Sequence, residues 1–214
     1  MFELTPLTGP APKPARVYNR VFLKYHGRRG KYIAAITRAY ADVSIKDLRA
    51  GIAWYERAQN TARAIHPNVL VGAGVLAATS PRTDWKHNKL YAERVCQYAQ
   101  NGAEYPPPCS TYARLVKAWN ICLLENPTKE QILRILNGPK TCRFFRNIIG
   151  DENAVTIDVW SKRIATAGKD ESAPKPGHDY DSLEQAYQIA GARLGISPCH
   201  LQAALWCHAR GDSE

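Results

Sequence analysis

The chain has 214 residues, of which 45% are apolar and 22% charged, so it carries ample material for a packed core and is not a chain disordered throughout. A formal net charge of +10 and a pI near 9.4, with Lys and Arg spread along the whole length, favour a polyanionic partner. No run approaches the roughly 20 uninterrupted apolar residues that span a bilayer, which excludes a membrane-spanning helix.

Residues 1–16, rich in proline, read as a flexible arm, and the pattern is helical almost throughout thereafter. Ser44 and Asp47 form a capping-box-like start for a helix ending near Ile65. The apolar, small-residue run Val69–Thr79 suits a helix buried on most sides, where Gly72 and Gly74 permit close packing. Thr83 or Asp84 caps the next helix, and Gly102 closes it. After the prolines at 106–108, a helix is expected from Ser110 to Glu125, and Thr128 with Gln131 caps another that ends at Leu136. Pro139 opens a helix that Gly150 closes. Thr156 or Asp158 starts a helix ending near Gly168, and residues 169–181 read as a polar loop. The last two helices are expected to start at Ser182 and at Ser197-Pro198, the second stopping at Gly211.

The expected class is therefore all-α, with nine or ten helices in two lobes and a cleft between them. The central lobe covers about 69–136, and the second takes 17–68 together with 137–214. None of the six cysteines forms a C-x-x-C pair, and all but Cys109 fall in apolar helical patterns. Free thiols are expected, with no disulfide and no zinc. The N-terminal stretch lacks the basic start, apolar middle and cleavage site of a secretory signal. A cytoplasmic monomer is expected, in a bacterium or in a host cell if a virus encodes the chain.

The chemistry concentrates between Ile132 and Ile164. One helix runs into a tight turn, Asn137-Gly138, and a second begins at once with Pro139-Lys140-Thr141. Such a turn exposes the first N–H groups of the second helix, which together with the helix dipole suit one phosphate. Asp158 follows eighteen residues after Lys140, at the start of the next helix, where an amine and a carboxylate can meet at the mouth of a cleft.

This segment resembles the helix-hairpin-helix and Gly/Pro-Asp signature of the endonuclease III-like DNA glycosylases. That family carries a hairpin of the form L-P-G-V-G-x-K-T and then V-D-T-H-x-x-R. The counterparts here are Leu136-Asn137-Gly138-Pro139-Lys140-Thr141 and Ile157-Asp158-Val159-Trp160-Ser161-Lys162-Arg163. The lysine-to-aspartate interval matches, and Arg163 stands five residues past the aspartate. Upstream, residues 76–84 (LAATSPRTD) are similar to the family's apolar helix running into a loop that probes opened duplex. The resemblance covers Val69 to Arg163, with a weaker echo at Trp206 to Gly211. The sequence departs from the pattern in four ways: Leu136 replaces the first hairpin glycine, Pro139 precedes the lysine, Trp160 replaces the usual histidine, and no cysteine spacing fits an iron–sulfur cluster. No cofactor is expected, and no metal.

The resemblance implies a divergent DNA glycosylase with accompanying lyase activity, acting on double-stranded DNA with a flipped-out damaged or modified base. Lys140 would attack C1′ and form a Schiff base, and Asp158 would assist its deprotonation or stabilise the cationic sugar. A lysine attacks only as the free amine, so its pKa must fall from about 10.4. Arg143, Arg146, Lys162 and Arg163 are the cations near it in sequence. DNA contacts fall to Asn137, Gly138, Thr141, Arg143, Arg163, Arg82 and Lys86, and the wedge or base pocket to Pro81, Trp85 and Trp160.

Two other readings stand beside this one. A helix-hairpin-helix protein that binds DNA without cleaving it would share the motif and the charge. A metal-dependent nuclease could use Asp151 and Glu152 beside Asp158, although no further ligands fall at supporting intervals. The stretch His178-Asp179-Tyr180-Asp181 reads as a solvated loop rather than a metal site.

Overall fold

The computed structural model describes residues 16–107 and 112–211, which form ten α-helices and contain no strand. In chain order these are α1 (Arg16–Ala41), α2 (Ile45–Ile65), α3 (Val69–Thr79), α4 (Trp85–Gln100) and α5 (Tyr112–Cys122). Then come α6 (Lys129–Leu136), α7 (Pro139–Ile148), α8 (Val159–Ala165), α9 (His178–Leu194) and α10 (Pro198–Arg210). The all-α expectation holds. The arm at 1–15, the start of α5 at Ser110 and Cys109 lie outside the described residues.

Local chemistry accounts for most helix starts and for two of the C-terminal ends. The side chains of Ser44, Asn68, Asp84, Thr128, Asp158 and Ser197 each accept a backbone N–H in the first turn they precede. At Thr128 and Gln131 the reciprocal capping box is complete. Gly195 and Gly211 terminate α9 and α10 in the left-handed conformation, at φ +69° and +65°.

Two boundaries differ from expectation. Helix α5 ends at Cys122 rather than Glu125, because Asn126 takes a left-handed turn at φ 45° ahead of buried Pro127. Helix α9 begins at His178, four residues before Ser182, so His178-Asp179-Tyr180-Asp181 is its first turn and not a solvated loop. The reason is tertiary: Tyr180 is buried in the core and Asp179 pairs with Lys162, which holds the extra turn in register.

The apolar faces fill two cores. Tyr55, Ala58 and Ala62 of α2, the nearly all-buried α3, and apolar residues of α4 to α7 build the first. Ile33 and Ile36 of α1, Val155, Ile157 and the inner face of α9 build the second. Helix α10 serves both, with Cys199 and Ala203 on one side and Leu201 and Leu205 on the other. Thus α2 and α7, assigned by sequence to the second lobe, bury their apolar faces in the first core.

Glycines set how close some helices come. A Cβ on Gly72 would collide with the Ala62 carbonyl, and one on Gly51 with the Ala204 backbone. Gly74 faces Ile121 and Ile132 in the same way, so the glycines of α3 serve packing. The five described cysteines are free thiols, and the sulfurs of Cys96 and Cys122 lie 3.5 Å apart. No helix among the described residues is long and apolar enough to cross a membrane.

Candidate functional site

Helices α6 and α7 are joined by the two-residue turn expected at Asn137-Gly138. Asn137 adopts the left-handed conformation at φ 55°, and its N–H closes on the Leu133 carbonyl. Lys117 Nζ donates to the Leu136 carbonyl at 2.7 Å, satisfying one of the last acceptors of α6. Gly138 is the N-cap of α7 and supplies no side-chain cap; Pro139 has no N–H to satisfy. The N–H groups of Lys140 and Thr141 therefore stand at an uncapped helix start. The Thr141 hydroxyl donates to the Gly138 carbonyl at 3.1 Å. Lys140 is half-buried at this first turn, and among the described residues no hydrogen bond or ion pair engages its Nζ.

Asp158 reaches the same place along a buried extended run, 154–157, many of whose polar groups are claimed by α7 and α9. Tyr180 accepts the Ile157 N–H and donates to the Val155 carbonyl, both at 2.9 Å. The Glu184 carboxylate accepts the Val155 N–H at 3.1 Å. On α7, Asn147 donates to the Asp151 and Ala154 carbonyls and accepts the Thr156 hydroxyl at 2.7 Å. Buried polar groups paired in this way make a rigid approach.

At its end the Asp158 carboxylate is held by three donors. Oδ1 accepts the Ser161 N–H at 2.8 Å and the Ser161 hydroxyl at 2.9 Å, which makes Asp158 the N-cap of α8. Oδ2 accepts the indole N–H of Trp206, on α10, at 3.1 Å.

Lys140 and Asp158 line one cleft of about 630 Å³. Its walls are aromatic: Trp54, Tyr55, Trp85, Phe144 and Trp206 all face it. The Trp54 ring is the hub, with centroids 4.9 Å from Tyr55, 5.2 Å from Trp85, 5.8 Å from Phe144 and 6.2 Å from Trp206. Burial pushes the Tyr55 phenol well above its ordinary range, so it stays protonated and donates to Gln202 Oε1 at 3.3 Å. Lys86, Lys89 and Arg210 add cations to the lining, and Lys89 and Arg210 lie over the Trp85 and Trp206 rings at 5.8 and 4.7 Å. Asp84, the other carboxylate in the lining, is held below the usual carboxyl range by the His87 N–H and ring. Flat π-faced walls, four cations and two oriented carboxylates suit a planar ring carrying negative charge.

The residues singled out from sequence divide into those the cleft gathers and those it does not. Lys140, Asp158, Trp85 and Lys86 line it, whereas Pro81 and Arg82 belong to the adjoining 80–84 loop and are not in the lining. Arg82 is exposed and takes a left-handed backbone at φ 57°. Trp160 is also outside the lining and lies beneath the Arg163 guanidinium at 5.4 Å.

The four cations near Lys140 in sequence are each committed to a carboxylate. Arg143 pairs with Glu184, Arg146 with Asp151, Lys162 with Asp170 and Asp179, and Arg163 with Glu171. Among the described residues no group of His, Cys, Asp and Glu could hold a metal ion.

Sequence reasoning missed Trp54, Tyr55, Phe144 and Gln202, and saw Trp206 and Arg210 only within a weak echo. A signal was present in the last helix: Gln202, Trp206 and Arg210 recur at four-residue spacing and so share one face of α10. Nothing comparable marks Trp54, whose neighbours in the cleft come from three other helices.

A family model described as a family of unknown function, DUF7178, matches residues 21–213. No curated protein and no solved structure matches the chain.

Proposed function

The chain belongs to the DUF7178 family, and we propose that it is a DNA N-glycosylase that also nicks the strand beside the base it removes. The observation that carries this reading is the meeting of Lys140 and Asp158 in one aromatic-walled cleft. They come from separate elements, and the spacing on which the resemblance rests does not itself bring them together. The net charge of +10 supports a polyanionic substrate.

In this reading an everted base enters between the aromatic walls while its sugar lies over Lys140. As the C1′–N bond lengthens, positive charge grows at C1′, and the oriented Asp158 carboxylate stabilises it. The bond electrons leave with the base, which takes up a proton. The free amine of Lys140 adds to C1′, its surplus proton passing to Asp158 or to water. Opening of the sugar ring yields the imine. Loss of a proton from C2′ then expels the 3′ phosphate, and water releases the enzyme. The uncapped N–H groups of Lys140 and Thr141 suit a phosphate of the bound strand.

The test is incubation with a panel of duplexes, each carrying one modified base, with and without borohydride. Borohydride reduces the imine and traps a covalent complex, which Lys140→Ala should abolish. Failure to release a base from, trap or nick any duplex, with salt-sensitive binding that survives Lys140→Ala and Asp158→Asn, would make this a DNA-binding protein without bond cleavage. Nicking that EDTA silences would instead indicate a metal-dependent nuclease.

A further inference from the structure

We infer that Trp206 is a positioning residue for Asp158, fixing the plane of its carboxylate through the indole N–H; this rests on the glycosylase reading of the same cleft.

An N-cap aspartate needs only one oxygen for its helix, and here Oδ1 performs that task through the Ser161 N–H. Capping alone leaves the second oxygen free to take several orientations. Trp206 removes that freedom, because its Nε1 donates to Oδ2 at 3.1 Å from a helix 48 residues further along the chain. An indole N–H is a donor only and does not titrate, so it holds a carboxylate without competing for the proton that the carboxylate handles.

The rest of the α10 face supports the same geometry. Arg210 lies 4.7 Å from the Trp206 ring and draws electron density from it, which strengthens the N–H as a donor. Gln202 Nε2 donates to the Ser161 hydroxyl at 3.2 Å, leaving the hydroxyl hydrogen for Asp158 Oδ1. Tyr55 in turn donates to Gln202 Oε1 and sets the direction of that amide. Both carboxylate oxygens are thus held by groups whose own partners are specified, and the remaining acceptor sites are left for the cleft. A tryptophan serving only to stack on a ligand would have no need to commit its N–H to a carboxylate.

The experiment uses the full chain and a duplex with a single abasic site, on which a lysine Schiff base forms whichever base the protein prefers. Trp206→Phe keeps a ring on the cleft wall and removes the donor. Single-turnover borohydride trapping should slow about tenfold, the loss expected for one hydrogen bond to a charged group, with duplex affinity within about twofold of wild type. Trp206→His places its Nε2 where the indole Nε1 stands and should return the rate to within about threefold. Trapping by Trp206→Phe at the wild-type rate overturns the inference. Equal slowing in both variants with weakened duplex binding also overturns it, since Trp206 would then be a DNA contact.

If wild type traps nothing, the glycosylase reading itself fails, a result distinct from either of these. Should the variants not fold, the indole N–H resonance of Trp206 decides the point. It should move upfield when Asp158→Asn turns the carboxylate into a carboxamide, and an unmoved resonance overturns the inference.

Discussion

Arg143 grips Glu184 through two nitrogens, Nη2 at 2.9 Å and Nε at 3.2 Å, a forked contact between α7 and α9. The same carboxylate accepts the Val155 N–H on the approach to Asp158. Glu184 therefore joins the helix that carries Lys140 to the segment that carries Asp158. Arg143 is a brace of the site rather than a free cation, which explains why a residue three positions past the lysine points away from the cleft lining.

Removing that brace should be costly. Glu184 is buried, and Glu184→Ala strands the Val155 N–H and leaves a partly buried guanidinium unpaired. A loss of about 2–4 kcal/mol in unfolding free energy is expected. Urea titration checks it, and a change under about 0.5 kcal/mol, the range of ordinary surface substitutions, would sink the brace. Arg143→Ala should likewise lower the melting temperature while changing duplex affinity little.

Asp158 combines a cap with its proposed chemistry, and two substitutions separate them. Asparagine caps a helix about as well as aspartate but sets its amide N–H against the Trp206 indole N–H, so Asp158→Asn should lose no more than about 1 kcal/mol. Asp158→Ala should lose about 1–2 kcal/mol, having neither the cap nor an acceptor for Trp206. Both should lose covalent trapping. Wild-type trapping by Asp158→Asn would reduce the carboxylate to a helix cap.

The stability of the α8–α9 junction should depend on pH. The buried Lys162 amine contacts Asp170 at 3.0 Å and Asp179 at 3.1 Å. Ser172, through its hydroxyl and N–H, and then Lys162 hold the Asp170 carboxyl down at about 2. A carboxyl depressed in the folded state stabilises fully above its unfolded value of about 3.9, and that stability is lost as pH falls toward 2. Burial works to lower the Lys162 pKa, but the two aspartates outweigh it and raise it. Its contribution is therefore full below about 10.4 and lost at still higher pH. Urea midpoints from pH 7 down to 2 should fall along an acid limb that Asp170→Asn flattens. An unchanged limb in that variant would separate Asp170 from acid unfolding.

Much of the helical scaffold was legible because its determinants are local. Ser44, Asp84, Thr128, Ser197 and the left-handed glycine at 211 announce helix ends through bonds that reach only three or four residues. The start of α9 was not legible, because it depends on Lys162 and on the burial of Tyr180 rather than on a cap. Gly177, at its N-cap, offers no side chain to signal it.

The candidate site divides along the same line. By itself the sequence determined an all-helical chain, a surplus of positive charge, the turn before Lys140 and the capping position of Asp158. Each follows from composition or from hydrogen bonds within one helical turn. Only the tertiary structure decided that Lys140 and Asp158 share a cleft, that Trp54, Tyr55, Phe144 and Trp206 wall it, and that Trp160 does not. It also decided that Arg143, Arg146, Lys162 and Arg163 are spent on ion pairs. The physical reason is reach: side chains far apart in the chain meet only when two cores and the helix they share fix their distance. No local spacing encodes that distance.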